Sequence, residues 1–325
     1  MKKVFVAGKI PQKGLEKLQQ EFDVELYDDS ERLISEAELK EKIKDKDALL
    51  SLLSTPVNKE AIDNAPHLKI IANYGAGYNN IDFEYAAEKG IYVTNTPEVS
   101  TNATADLTIG LILAAARRIA EGDKLCRTTG FKGWAPLFFL GREVSGKKLG
   151  IFGFGSIGRA VAKRAQGFDM EVFYYKRNRL TPQEEKELNV TYLPFEELLK
   201  QSDFITINSS YTPDMRHLFG REQFQMMKPT AYLINAARGP IVHEAALAEA
   251  LKNKAIEGAA LDVYEFEPEI TEELKTLDNV VLTPHIGNAT IETRDAMALM
   301  AVDNIIEVLN GRPPLHAVNK PLVLS

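Results

Sequence analysis

Apolar residues recur along the chain with two different periods, which predict short strands and longer helices in turn. The runs KVFVAG (3–8) and ALLSLL (48–53) are apolar and predict buried strands. The segment GLEKLQQEF (14–22) has apolar residues at helical spacing, and further strands are predicted at 68–75 and 90–95. This β-α-β rhythm predicts a parallel sheet covered by helices on both faces.

A second series of the same kind follows a long helical pattern that runs from Thr101 to Arg127. It begins at KKLGIFGFG (147–155), and its later strands are predicted in EVFYY, VTYL, DFITIN, TAYLIN, EGAALDVY and NVVLTP. A final helical run spans 289–311, where a glycine and then prolines signal its end. The stretch 127–147, rich in glycine, is the predicted linker.

Composition narrows the class of protein. A length of 325 residues fits two domains. The formal charge of −7 argues against nucleic acid as the main partner, and no uncharged apolar run approaches the roughly 18 residues of a membrane span. The N-terminus lacks a signal-peptide cleavage pattern, and the single Cys126 suggests a reducing compartment. We therefore expect a cytoplasmic protein that works without a membrane, and we predict no metal site.

The segment GFGSIG fits the G-x-G-x-x-G pattern, with a strand before it and a helix after it. In such a loop Gly153 permits the tight turn, Gly155 lets the backbone approach a pyrophosphate, and Gly158 allows close helix–strand packing. Ser156 and Ile157 open the helix, whose N-terminal N–H groups and dipole favour an anion. The alternative is a glycine-rich turn that binds nothing. The strand–loop–helix context favours dinucleotide binding.

Three cations follow the next predicted strand, where many dinucleotide-binding folds place one acid that binds the ribose 2′-hydroxyl of NAD. Here the position is occupied by Tyr175, Lys176 and Arg177, with Arg179 close behind. A 2′-phosphate would be attracted by cations and gripped by an arginine fork. The run therefore favours NADP(H), with NAD(H) possible. The alternative is an ordinary solvated basic loop.

With these motifs in place, the chain resembles the D-isomer-specific 2-hydroxyacid dehydrogenases over nearly its whole length. The stretch GWAPLFFLGREVSGKKLGIFGFGSIGRA is most similar to their glyoxylate/hydroxypyruvate reductase branch. The blocks NAARGPIVHEAAL, LDVYEFEP and LTPHIGNAT match the three catalytic blocks of the family. The resemblance implies reduction of a small 2-keto acid to the D-2-hydroxy acid by a nicotinamide cofactor.

The resemblance also implies a role for each matching residue. His285 would be the general acid, Glu267 its partner, and Arg238 the group that holds the substrate carboxylate and polarises the ketone. A histidine suits this work because its ordinary pKa lies near neutral pH, and a neighbouring carboxylate favours the protonated ring. All three follow predicted strands, at the ends where ligands bind in open α/β sheets. His217, His243 and His316 are expected to be ordinary polar loop residues.

Further contacts are implied outside this trio. In NYGAGYNNID (73–82), the backbone N–H groups of Ala76 and Gly77 would receive the substrate carboxylate. Thr104 would contact the cofactor, and Asp262 would lie near the nicotinamide carboxamide.

The fold class expected from the resemblance is α/β, with two doubly wound parallel-sheet domains and a cleft between them. A flavodoxin-like substrate-binding domain would consist of residues 1–99 and 291–325, and a Rossmann dinucleotide-binding domain would span 100–290. The resemblance also implies a homodimer built on the dinucleotide-binding domain.

Several functions remain open at this point. The favoured one is reduction of glyoxylate or hydroxypyruvate. The same chemistry could serve D-lactate, 3-phosphoglycerate or 2-ketogluconate, although the loop 73–82 supplies no cation for a phosphorylated substrate. A formate dehydrogenase is disfavoured, because that branch pairs its histidine with glutamine. The alternative from another functional class is a binding protein: a dinucleotide-sensing corepressor on the same fold.

Overall fold

The computed structural model describes residues 1–29 and 32–321, and the chain divides into two compact units. The first unit combines Met1–Ser100 with Asn288–Ser325, and the second consists of Thr101–Gly287. The chain thus leaves the first unit once, builds the whole of the second, and returns.

The first unit is built on a five-stranded parallel sheet. Its strands are β1 (Lys3–Val6), β2 (Asp23–Leu26), β3 (Ala48–Leu52), β4 (Ile70–Tyr74) and β5 (Tyr92–Thr94). Their order in the sheet is β2-β1-β3-β4-β5, which is the flavodoxin-like order. Its helices are α1 (Gln12–Glu21), α2 (Glu36–Ile43), α3 (Lys59–Asp63), α4 (Phe83–Glu88) and, after the return of the chain, α13 (Ile291–Leu309).

Helices cover both faces of this sheet, which explains why its central strands are almost entirely buried. One face packs against α1 and α13, where Leu18, Met297 and Val302 are buried. Leu39 and Ile62 of the helices on the other face are buried as well. Both faces therefore contribute to the hydrophobic core of the unit.

The second unit has a seven-stranded parallel sheet in the order β12-β11-β10-β9-β6-β7-β8. Its strands are β6 (Lys148–Phe152), β7 (Glu171–Tyr175), β8 (Thr191–Tyr192), β9 (Phe204–Ile207), β10 (Tyr232–Asn235), β11 (Gly258–Leu261) and β12 (Val280–Leu282). Its helices are α5 (Thr101–Ala116), α6 (Ile119–Arg127), α7 (Ser156–Ala165), α8 (Pro182–Leu188), α9 (Phe195–Gln201), α10 (Arg221–Met226), α11 (Glu244–Lys252) and α12 (Glu272–Lys275).

This strand order is that of a Rossmann fold with one further strand. The chain starts at β6, builds outward to β8, and then crosses back to β9 on the other side of β6. The direction of winding therefore reverses between β6 and β9, and ligands bind outside the carboxyl ends of the strands at such a point. The two parallel sheets, each flanked by helices, confirm the predicted α/β fold class.

The helical pattern predicted from Thr101 to Arg127 is helical in the structure, but it is interrupted once. The structure has two helices, α5 and α6, and the break lies at Arg118, which has a left-handed backbone with φ 55°. The Arg118 guanidinium binds Glu121 on α6 and the carbonyl of Leu140. These contacts stabilise the turn, and periodicity could not reveal them because the apolar spacing continues across it.

The stretch between α6 and β6 has no helix or strand and carries large apolar side chains on the surface. The most exposed of them are Phe131, Trp134, Leu137 and Leu140. We call residues 128–145 the apolar arm. Within the two described ranges, no helix is both long and apolar enough to cross a membrane.

Candidate active site

The glycine loop joins β6 to α7 at the reversal of the sheet. Gly153 has φ +91°, and a Cβ there would lie 2.5 Å from the backbone nitrogen of Ser209. A Cβ on Gly158 would overlap the carbonyl of Gly153, so close helix–strand packing requires glycine there too. Gly155 faces open space and caps α7 without a side-chain bond. The N–H groups of the first turn, at Ser156 and Ile157, therefore remain available to an anion.

A cavity of about 660 Å³ opens beside this loop. Gly153 and Gly155 line it on one side, and Lys176 and Arg177 line it at the end of β7. Asn208 forms part of its wall after β9, and neither its amide oxygen nor its amide nitrogen has a partner among the described residues. Unpartnered amide atoms in a polar cavity wall are unusual in a folded protein. The glycines, the cations and this amide fit a dinucleotide.

The three predicted cations are not equivalent in the structure. Arg177 is 79% exposed, and its guanidinium lies 3.8 Å from the Asp214 carboxylate, which also lines the cavity. Arg179 points elsewhere, because its guanidinium binds Glu185 through two nitrogens at 2.8 Å each and lies over the ring of Tyr192. The structure thus brings Lys176 and Arg177 to the cavity and ties Arg179 to α8.

His285 and Glu267 form a direct pair. The imidazole Nδ1 lies 2.9 Å from Oε2 of Glu267, and the other carboxylate oxygen accepts a hydrogen bond from the Tyr264 N–H. Burial raises the pKa of the Glu267 carboxyl, but His285 and the Tyr264 N–H outweigh it, so this pKa lies below its ordinary value. Glu267 is therefore a carboxylate at neutral pH. The second ring nitrogen of His285, Nε2, is the one that can meet a substrate oxygen.

Asp262 organises the turn that carries His285. Its carboxylate accepts hydrogen bonds from the N–H groups of Ile286 and Gly287, both at 2.8 Å, and from the Thr283 hydroxyl at 2.6 Å. His285 itself has a left-handed backbone with φ 52°, which is costly for such a residue. The three bonds to buried Asp262 stabilise this conformation.

Thr104 and Asp262, both predicted as cofactor contacts, lie next to the same glycine, Gly287. A Cβ on Gly287 would lie 3.3 Å from the Asp262 carboxylate and 3.5 Å from the Thr104 side chain. The structure therefore brings these two residues together. The sequence analysis missed the work of Asp262 within the His285 turn, since three donors from residues 283–287 are not visible in a motif.

Arg238 follows β10 and lies near the Glu267 carboxylate. Burial lowers the pKa of its guanidinium, and the nearby charge of Glu267 opposes that effect. A guanidinium nevertheless remains charged in proteins. One of its terminal nitrogens donates to the Ala237 carbonyl at 2.7 Å, which holds the guanidinium against the neighbouring backbone. Gly239 permits this arrangement, because a Cβ there would overlap the Tyr264 carbonyl.

The loop 73–82 of the first unit presents its backbone N–H groups. Its carbonyls are already bound: Asn73 donates to Gly77 at 2.6 Å, Asn95 to Ala76 at 2.7 Å, and the Thr96 N–H to Gly75 at 3.0 Å. Among the described residues, the N–H groups of Ala76 and Gly77 have no acceptor. Successive free N–H groups of this kind make an anion-binding concavity.

Taken by itself, the second unit combines a dinucleotide-type cavity with His285, its carboxylate partner Glu267, and Arg238. In the part of the chain that the structure describes, no group of three His, Cys, Asp or Glu side chains could hold a metal ion. The arrangement can donate a proton from His285 and can bind a carboxylate at Arg238.

Comparison with known proteins identifies the family. The model of the D-isomer specific 2-hydroxyacid dehydrogenase NAD-binding domain matches residues 109–287, more than half of the chain. A Staphylococcus aureus (strain MRSA252) protein, provisionally named a 2-hydroxyacid dehydrogenase, is 62% identical over 319 residues, which cover 98% of this chain and 100% of that protein. The family match implies a nicotinamide dinucleotide as cofactor.

Solved structures agree with this match. The TT0316 protein of Thermus thermophilus is 40% identical, with a TM-score of 0.92 over 98% of this chain and 100% of that one. The NADPH-dependent glyoxylate/hydroxypyruvate reductase of Sinorhizobium meliloti is 31% identical, with a TM-score of 0.85 over 98% of each chain. The protein therefore belongs to the D-isomer-specific 2-hydroxyacid dehydrogenase family of oxidoreductases.

Proposed function

We infer that the protein reduces glyoxylate or hydroxypyruvate to the corresponding 2-hydroxy acid, with the D configuration where the product is chiral and with NADPH as the preferred cofactor. The observation that carries this proposal is the pairing of His285 with Glu267, next to the charge of Arg238. These three side chains provide what reduction of a 2-keto acid needs from a protein: a proton, a partner that orients the proton donor, and a fork for a carboxylate.

When bound, the reduced nicotinamide supplies the hydride that adds to the ketone carbon. His285 donates the proton that the ketone oxygen requires, so one keto acid, one hydride and one proton give one hydroxy acid. The Glu267 carboxylate contacts Nδ1 of the imidazole and so orients its ring. Arg238 holds the substrate carboxylate and polarises the ketone.

The two units take separate roles in this proposal. The second unit binds the dinucleotide, through Gly153, Gly155, Gly158 and the N–H groups of Ser156 and Ile157. The first unit binds substrate, through the N–H groups of Ala76 and Gly77. Both of these N–H groups lack an acceptor among the described residues, and the carbonyls on their loop are bound, which supports this assignment.

The preference for NADPH rests on the end of β7. Lys176 and Arg177 line the cavity there, and the exposed guanidinium of Arg177 lies 3.8 Å from Asp214, a long distance for an ion pair. It therefore remains available for a 2′-phosphate. Arg179 contributes indirectly, since its contacts with Glu185 anchor the segment after β7 to α8. Thr104 and Asp262 are assigned to the nicotinamide end.

The choice of glyoxylate or hydroxypyruvate rests on the similarity to the Sinorhizobium meliloti reductase and on the loop 73–82, which supplies no side-chain cation for a phosphorylated acid. The experiment is a panel of 2-keto acids, including glyoxylate, hydroxypyruvate, pyruvate and 2-ketogluconate, assayed with NADPH and NADH in parallel. We expect the highest kcat/KM for glyoxylate or hydroxypyruvate with NADPH. A clear preference for another acid, or the absence of turnover on all of them, would overturn the proposal.

We further infer a homodimer formed through the second unit. The apolar arm exposes Trp134 at 87% and Leu137 at 85%, more apolar surface than a solvated loop usually carries. A second copy of the chain would bury these side chains. The molar mass in solution, measured by light scattering, should be twice that of the 36.2 kDa chain. It should fall toward one chain in a Trp134→Ser/Leu137→Ser variant.

A further inference from the structure

Two buried glutamates outside the catalytic trio, Glu244 and Glu265, bind each other's backbone. The Glu265 N–H donates to Oε1 of Glu244 at 2.6 Å, and the Glu244 N–H donates to Oε2 of Glu265 at 3.4 Å. The Glu244 residue is 2% exposed, and the Glu265 side chain is 4% exposed. Buried carboxylates are retained only where they are well hydrogen-bonded, so we expect these two side chains to have a structural or functional role.

The remaining oxygen of Glu244 reaches a second point on the chain. Its Oε2 accepts the Thr271 hydroxyl at 2.5 Å and the Thr271 N–H at 3.2 Å. One carboxylate at the start of α11 thus binds both ends of the segment 265–271. Glu267 lies within that segment, so the position of its carboxylate relative to His285 depends on where both ends are held.

The other glutamate anchors the same segment from a different side. Oε1 of Glu265 lies 2.5 Å from Nε2 of His217 and 3.0 Å from the Arg216 guanidinium. His217 is therefore not the ordinary loop residue that the sequence suggested. The Glu265 side chain and the Glu244 side chain together connect the segment to α11 and to the turn before α10.

We propose that Glu244 is a positioning residue for the reaction: its carboxylate clamps residues 265 and 271 and thereby holds Glu267 against His285. This inference rests on the proposed function, because Glu244 is assigned no contact with substrate or cofactor. Its effect on the reaction passes only through the His285–Glu267 pair. Thr271 is the hydroxyl partner in the clamp, and Glu265 the second anchor.

The geometry makes Glu244→Gln a discriminating change. Glutamine keeps the shape but has one acceptor oxygen, whereas the two oxygens of Glu244 serve three donors at two points of the chain. One end of the segment must therefore lose its acceptor. We expect kcat for keto-acid reduction to fall roughly 10- to 100-fold, the range for a small misplacement of a reacting group. The affinity for NADPH, from a fluorescence titration, should not change.

A double-mutant cycle separates positioning from a general loss of stability. If Glu244 acts through Glu267, the Glu244→Gln/Glu267→Gln variant should have the kcat of Glu267→Gln alone, because the second change removes what the first one positions. Glu249→Gln on the same helix, partly exposed and paired with Arg221, is the matched control and should behave as wild type.

Thr271 provides a milder test that keeps the fold. Thr271→Val loses the hydroxyl donor and should reduce kcat by less than about tenfold, while Thr271→Ser retains the donor and should restore wild-type kcat. Hydrogen exchange, which needs no activity, should be faster at the Glu265 amide or at the Thr271 amide in Glu244→Gln than in wild type. Wild-type kcat in both Glu244→Gln and Thr271→Val, or losses that multiply in the double variant, would overturn the inference. A wild type that reduces no keto acid would instead overturn the proposed function, and unchanged amide exchange in Glu244→Gln would then overturn the clamp separately.

Discussion

The Nδ1 atom of His285 lies 2.9 Å from Oε2 of Glu267, although the two side chains belong to different loops with separate anchors. Asp262 binds the turn that carries His285, and Glu244 binds the segment that carries Glu267. Tyr264 connects them, since its N–H donates to Glu267 and its hydroxyl donates to the Thr283 carbonyl. The two loops that carry His285 and Glu267 are therefore each held by a buried carboxylate.

Replacing Glu267 by glutamine should slow catalysis. The two carboxylate oxygens of Glu267 contact Nδ1 of His285 and the Tyr264 N–H, and glutamine has only one acceptor oxygen for both, so the ring of His285 is held less well and kcat should fall. The measurement is kcat for glyoxylate reduction, with Glu249→Gln as the control for loss of a partly exposed carboxylate. Equal kcat in wild type and Glu267→Gln would rule out a role of the pairing in catalysis.

The same carboxyl should affect stability at acid pH. Its pKa lies below the ordinary 4.5, so the stabilisation it contributes is fully present above pH 4.5 and is lost as the pH falls through the folded-state pKa. The free energy of unfolding of wild type should therefore fall more steeply than that of Glu267→Gln when the pH is lowered from 6 to 3.5. Urea titrations at several pH values check this, and parallel curves would contradict it.

Asp262→Asn should loosen the turn that carries His285. An amide cannot accept from the Ile286 N–H, the Gly287 N–H and the Thr283 hydroxyl at once, and an unpaired buried donor costs about 1–3 kcal/mol. We expect a loss of that size in the free energy of unfolding and a lower kcat. Asp278→Asn, at an exposed position before β12, is the control. A variant of wild-type stability whose only defect is a raised KM for NADPH would assign Asp262 to the cofactor alone.

Arg238→Lys keeps the positive charge and loses the planar fork. Because the fork acts in both the ground state and the transition state, KM for the keto acid should rise and kcat should fall. A lost hydrogen bond to a charged group, at about 1.5–3 kcal/mol, corresponds to roughly 10- to 100-fold in kcat/KM. Arg221→Lys, an exposed arginine paired with Glu249, should leave both constants unchanged. A defect limited to NADPH binding would move Arg238 to the cofactor site.

Arg177→Ala should weaken NADPH roughly 10- to 100-fold, since one hydrogen bond to a charged phosphate is lost, and should barely change NADH. Added salt should weaken NADPH more than NADH in wild type, because the contact is exposed and screened. The measurement is kcat/KM for both cofactors in wild type and in Arg177→Ala, with Arg127→Ala as the control at a distant exposed arginine. A wild type that prefers NADH would contradict the assignment outright.

Much of the fold could be predicted from local patterns alone. The apolar runs that became β1, β3, β6 and β9 are buried on both faces, so their hydrophobic signal is strong. Strand β2, with the sequence DVEL, was missed, because it is an edge strand with only partial burial and carries two acids. The acids of β2 break the apolar pattern that located the other strands of this sheet.

The candidate site divides in the same way. The glycine loop and the residues after β10, β11 and β12 follow from motifs, because each lies at a strand end that the pattern locates. The clamp at Glu244 and the turn around Asp262 do not, since they consist of bonds between a side chain and backbone groups 21 to 27 residues away. The orientation of Arg179 toward Glu185 was equally hidden, because sequence alone does not tell which of several cations already has a partner.

The most direct test of the account is hydroxypyruvate reduction by NADPH in wild type and in His285→Ala, followed through nicotinamide absorbance and chiral analysis of the product. We expect wild type to form one D-glycerate for each NADPH oxidised. His285→Ala should lose roughly 10²–10⁴ in kcat, the range for a positioned acid, and should bind NADPH as tightly as wild type. His67→Ala, at an exposed histidine of the first unit, should match wild type. A product of the L configuration, or near wild-type turnover in His285→Ala, would contradict the account.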